Sequence, residues 1–135
     1  MPLLYLKNLN YVDEEKIGVV GTSHGGGITL DLIEDYLVIE GNANIQVAVE
    51  MFAGGDAKAI CSYWLTIGKV DSCDLPEEEF AKASALLRIN KINTPLLIIH
   101  GAKDSIVLVE EAYKLKQELE KYNKTYDIKI YPNSI

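Results

Sequence analysis

The chain has 135 residues, 48% of them apolar and 24% charged, the proportions of a globular domain rather than of a disordered or fibrous chain. One core is expected over residues 1–135, since domains commonly hold roughly 100 to 150 residues. A formal charge of −7, scattered along the chain, repels phosphate backbones and anionic bilayers, so neither nucleic acid nor membrane is an expected partner.

Apolar β-branched runs alternate with stretches of helical period, the mark of a parallel sheet between helices. The predicted fold is therefore α/β, a three-layer α/β/α sandwich with a mainly parallel sheet of about four strands. Leu3 to Leu9 reads as the end of a helix, and Ile17 to Gly21 as a short buried strand introduced by the polar turn Asp13-Glu14-Glu15. From about Gly25 to Ile39 the apolar positions Ile28, Leu32, Ile33 and Tyr36 recur at helical spacing, with Gly41 as the stop. Ile45 to Met51 alternates and is rich in valine, a strand broken by Phe52-Ala53-Gly54-Gly55. A helical insertion is expected at about 56–90. One helix carries the stripe Ala57, Ile60, Cys61, Trp64 and Leu65, another starts at Asp74-Leu75-Pro76-Glu77, and together they form a candidate roof over a pocket. Pro95 to His100 is a buried strand, Leu108, Ala112, Leu115, Leu119 and Tyr122 share one helix face, and Tyr126 to Tyr131 is the last strand.

The turn after the first strand carries the chemistry. Gly21-Thr22-Ser23-His24-Gly25 is G-x-S-x-G between a strand and a helix, the context of a nucleophile elbow. A serine at so tight an apex needs small neighbours two residues away, and Gly21 and Gly25 fill those places. The turn lifts the Ser23 hydroxyl above the carboxyl ends of the strands and aims helix amides at the same point, so that negative charge developing there is stabilised. The backbone N–H of His24 is the expected oxyanion donor. A phosphate-binding turn is the competing reading, but the segment has neither the Lys-Ser or Lys-Thr of a Walker loop nor G-x-G-x-x-G.

Further along, the strand Pro95 to His100 runs into Gly101-Ala102-Lys103-Asp104-Ser105-Ile106-Val107. Asp104 is the natural second member of a triad in the order Ser, Asp, His, where it would accept the Nδ1 proton of a histidine and favour the imidazolium. The segments G-T-S-H-G-G, T-P-L-L-I-I-H-G-A-K-D-S-I-V and I-K-I-Y-P-N-S together resemble the catalytic domain of the prolyl oligopeptidase family, over nearly the whole chain. That resemblance implies a partial α/β-hydrolase fold and a serine hydrolase that acts on a small peptide or ester through an acyl-enzyme, without a cofactor. Ser23 and Asp104 match the family's nucleophile and acid one by one.

In that family the catalytic histidine lies just beyond the strand ending in Tyr-Pro, and this chain stops at Ile135. His24 stands beside the nucleophile and His100 at a strand end, so both are expected to be structural and the triad base to be missing. The resemblance also begins at the helix before the nucleophile strand, which leaves out a second oxyanion donor and leaves that strand with an unpaired edge, open to a second copy of the chain. The expectation is weak turnover or none, and the alternative is a non-catalytic remnant or pseudo-enzyme serving as a binding or self-associating module.

The remaining residues say less. Cys61 and Cys73 form no disulfide framework and no metal-ligand spacing, so free, mostly buried thiols and no metal are expected. No signal sequence and no apolar run near the roughly 20 residues of a bilayer span is present, which sets a cytoplasmic expectation. Tyr63 and Trp64 read as core aromatics of an amphipathic helix, Glu50 as a weaker alternative to Asp104, and Glu77-Glu78-Glu79 as a favourable first helical turn.

Overall fold

Each of the four valine- and isoleucine-rich runs forms a strand: β1 (Ile17–Thr22), β2 (Ile45–Met51), β3 (Leu96–Gly101) and β4 (Tyr126–Tyr131). The computed structural model describes residues 2–34 and 44–135. Within them the helices are α1 (Pro2–Lys7), α2 (His24–Ile33), α3 (Ala57–Thr66), α4 (Glu77–Ala83) and α5 (Glu110–Lys121), with two short 3-10 turns at Ala85–Leu87 and Ile89–Lys91. The expected continuation of α2 to Ile39 and its stop at Gly41 lie outside the described residues.

The sheet has the order β1-β2-β3-β4 and every pairing is parallel, the result of successive strands joined by helical crossovers. Register sorts the side chains into two faces. Val19, Ala48, Leu96 and Tyr126 form one row, and Gly21, Glu50, Ile98 and Ile128 lie in another on the same face. Both rows meet Leu30 and Ile33 of α2 and Ala112, Leu115 and Leu119 of α5, which close the core together with Ile89 and Ile92. α2 and α5 share this face. On the other face Val20 and Val47 stand 67% and 49% exposed.

The helices of the insertion are held differently from the stripe expected of them. No residue of α3 is buried, so the row from Ala57 to Leu65 is not core. Polar anchors locate it instead: Asp56 caps its start by accepting from Ala59 N–H at 3.0 Å, and Glu111 accepts from the Gly55 and Asp56 N–H groups at 3.2 and 2.9 Å. Cys61 and Cys73 are not free thiols but a disulfide, their Cα atoms 5.9 Å apart. The chain after α3 doubles back beside it, a proximity that two cysteines twelve residues apart do not announce. Disulfides persist in oxidising compartments, so this pair lends no support to a cytoplasmic location. No helix among the described residues is long and apolar enough to cross a membrane.

Parallel pairing sends all four strand ends to one side. There the ladder continues past the strands: Ser23 N–H donates to Met51 C=O at 2.9 Å, Phe52 N–H to Ile99 C=O at 2.8 Å, and Ala102 N–H to Tyr131 C=O at 2.9 Å. Ser23 and the loop bearing Asp104 are thereby tied to the same edge, where open α/β sheets place their ligands.

Candidate active site

Ser23 sits at φ 51° and ψ −121°, a left-handed conformation that costs a non-glycine residue on the order of 1–3 kcal/mol and persists only where its surroundings impose it. The imposing contact is the packing of α2 on β1. A Cβ on Gly21 would lie 2.0 Å from Gly25 C=O and 2.4 Å from Thr29 Oγ1, and one on Gly26 would lie 2.7 Å from Ala53 Cβ. Gly25 contributes its backbone to that contact, while a side chain of its own would meet nothing within 4 Å. The steric need for glycine therefore falls on Gly21 and Gly26, and not on Gly25 as the motif suggests.

Ser23 is exposed and precedes α2 without spending its hydroxyl as a helix cap. Its C=O accepts from the Gly26 and Gly27 N–H groups at 2.9 and 3.2 Å. The N–H groups of His24 and Gly25 open the helix and have no carbonyl of an earlier turn to meet. A hydroxyl and two unclaimed amides at the positive end of a helix thus converge on one accessible point. The His24 side chain is exposed.

Asp104 follows β3, two strands away. Its Oδ1 accepts from the Ile106 and Val107 N–H groups at 2.8 and 3.0 Å, and its side chain keeps 13% exposure. Oδ2 stays out of that turn and is the oxygen left for a further partner. His100, with no exposed surface, bonds through Nε2 to Val107 C=O at 2.8 Å. A carbonyl accepts only, so Nε2 carries the proton and the Nδ1 lone pair faces no donor among the described residues. Its Nε2 is 3.8 Å from Asp104 Oδ2, too far for a hydrogen bond. His100 is thereby committed to the loop's backbone, the structural role expected of it.

Glu50 lies beneath the elbow with no exposed surface. Its Oε2 accepts from Ala53 N–H at 2.9 Å, Oε1 has no partner among the described residues, and burial pushes the carboxyl up to about 8 against that single hydrogen bond. Burial disfavours the negative charge that stabilising an imidazolium requires, which counts against Glu50 as a triad acid. Among the described residues no group of three or more His, Cys, Asp or Glu side chains could hold a metal ion.

Tyr63 and Trp64 also depart from expectation. They are half-buried on α3, with Tyr63 Oη donating to Ser105 C=O at 3.0 Å and Trp64 Nε1–H to Ile106 C=O at 2.7 Å. The amphipathic stripe hid this, because only the polar atom of each ring reports the contact.

Comparison with known proteins identifies relatives by sequence and by fold. The model of the prolyl oligopeptidase family matches residues 3–135. A protein of Aspergillus oryzae named "Probable dipeptidyl-aminopeptidase B" is 29% identical over 132 residues, covering 92% of this chain and 13% of its own length. The acylaminoacyl peptidase of Pyrococcus horikoshii superposes with a TM-score of 0.81 at 20% identity, over 97% of this chain and 22% of that one. Acetyl xylan esterase 1 of Thermoanaerobacterium superposes with a TM-score of 0.71 at 20% identity, over 98% of this chain and 44% of that one. These two structures share the fold. The chain spans about a fifth or less of the length of the curated relatives it matches along most of its length.

Proposed function

Because the chain belongs to the prolyl oligopeptidase family, whose members are serine peptidases, we propose that it carries the nucleophile and acid of a serine hydrolase acting on peptide or carboxylic ester bonds. The observation that carries this reading is the exposed, strained Ser23 beside the open amides of α2.

In the proposed reaction Ser23 Oγ attacks the acyl carbonyl carbon while a histidine takes its proton, and the carbonyl oxygen, now an anion, accepts from His24 N–H. Collapse of the adduct breaks the bond to the leaving amine or alcohol, which departs with that proton. Water then releases the acyl group by the same route. Asp104 accepts the histidine's Nδ1–H at Oδ2, since Oδ1 is already occupied. Neither His24 nor His100 takes the base's place: the first acts through its backbone, and the second is spent on Val107 C=O. The base approaches from beyond β4, where Ser134 C=O accepts from Lys103 N–H at 2.9 Å, next to Asp104.

A fluorophosphonate probe tests the assignment. Covalent labelling at Ser23, slow without the histidine and lost in Ser23→Ala, is the expected result. A folded chain that never labels would replace this reading with the second one, a binding or self-associating module. That second reading has its own support: β1 is an edge of the sheet among the described residues, and its Val20 is 67% exposed on the open face, a surface on which another copy of the chain can pair. A dimer by light scattering that is lost in Val20→Lys would favour association.

A further inference from the structure

Two consecutive peptide units of the acid loop are gripped at both ends. The unit joining Ser105 to Ile106 gives its N–H to Asp104 Oδ1 at 2.8 Å and receives Tyr63 Oη on its C=O at 3.0 Å. The unit joining Ile106 to Val107 gives its N–H to the same oxygen at 3.0 Å and receives Trp64 Nε1–H on its C=O at 2.7 Å. The next carbonyl, of Val107, is held by His100 Nε2 at 2.8 Å.

A peptide is planar, so fixing its oxygen fixes the direction of its N–H. A donor on the carbonyl also polarises the unit and strengthens the bond made by the amide at its other end. We infer that Tyr63 and Trp64 are positioning residues for Asp104: acting from α3, they set the two peptide planes that immobilise Oδ1 and leave Oδ2 free for the base. The inference rests on the reading of Asp104 as the triad acid.

The position of α3 fits this role. With no buried residue, the helix is not placed by core packing, and the two aromatic donors lie directly after Cys61, which the disulfide ties to the returning chain. Ile60, the residue before Cys61, anchors the same half of the helix: its Cδ1 lies 1.9 Å from where a Cβ on Gly54 would stand, so the helix sits directly on the backbone after β2. The first half of α3 is thus anchored, and the half that follows carries the two donors to the acid loop.

Hydrogen exchange measured residue by residue on the 135-residue chain tests the pairing. Tyr63→Phe removes one oxygen and should speed exchange at the Ile106 amide, whereas Trp64→Phe should speed it at Val107, each about fivefold, the worth of one net hydrogen bond. Amides of β3 should be unchanged in both variants. The one-to-one correspondence is the signature, because general loosening of α3 would move both amides together in either variant. Unchanged rates at Ile106 and Val107, or equal acceleration of both along with β3, would overturn the inference. The serine probe on the parent chain reads the proposed function separately: selective exchange effects in a folded chain that never labels would keep the clamp and leave it without a catalytic purpose.

Discussion

Glu50 offers the sharpest test of the electrostatics under the elbow. Its carboxyl ionises near 4.5 in an unfolded chain and near 8 in the folded one, with burial as the cause and Ala53 N–H as the one opposing contact. Between those values the folded state holds a proton that the unfolded state has released. Stability that is fully present below about pH 4.5 is therefore lost as pH rises, and the loss levels off above about pH 8. At about 1.4 kcal/mol per pH unit the whole interval is worth on the order of 5 kcal/mol, an upper bound because water or local relaxation would soften the burial. Glu50→Gln keeps an oxygen for Ala53 N–H and removes the titration. Glu34, also pushed up to about 8 by burial, contributes to both proteins and cancels in their difference. Denaturant unfolding followed by the fluorescence of Trp64, the sole tryptophan, should show variant and parent alike near pH 5. By pH 8.5 the variant should lead by roughly 3 kcal/mol or more. A difference that does not change with pH would mean that Glu50 ionises normally, and the ground for excluding it as the triad acid would go with it.

Two further substitutions test the packing around the site. Gly21→Ala should destabilise by at least about 2 kcal/mol, through the collision of its Cβ with Gly25 C=O, while Gly25→Ala, facing open space, should stay within about 0.5 kcal/mol, both read from thermal melts. Arg88 bonds buried Glu34 through Nε at 3.0 Å and Asp31 through a terminal nitrogen at 2.7 Å, so Arg88→Met should cost about 1–3 kcal/mol in a denaturant titration by leaving the buried Glu34 carboxyl without its donor.

What was legible in the sequence follows from how far each feature reaches along the chain. The elbow is written within about a dozen residues: the strand Ile17–Thr22, the serine, and the glycines and Thr29 that let α2 lie against β1. Parallel pairing was legible for the same reason, since each strand–helix–strand unit is contiguous. The disulfide was not, because it depends on the course of the chain between Gly68 and Asp74 and not on any cysteine pattern. Tyr63 and Trp64 were misread because an aromatic stripe carries the same period whether it enters a core or hangs a polar atom on a loop 42 residues away. Glu50 showed as a charge in an alternating strand, but its neutral state is set by α2 covering it, which no local pattern records.

This difference in origin has a physical consequence for the two halves of the site. Ser23 is held by backbone contacts of β1 and α2 that also close the hydrophobic core, so its strained geometry can be lost only when the sheet itself opens. Asp104 is held by backbone amides of its own loop, whose carbonyls bond to side chains of a helix with no buried residue, and such contacts open locally at a fraction of the global free energy. The acid can therefore come loose while the nucleophile stays in place. A folded chain with an intact elbow is then no guarantee that the acid loop is ordered, and in the proposed reading it is the roof that decides whether Asp104 Oδ2 is presented or merely nearby.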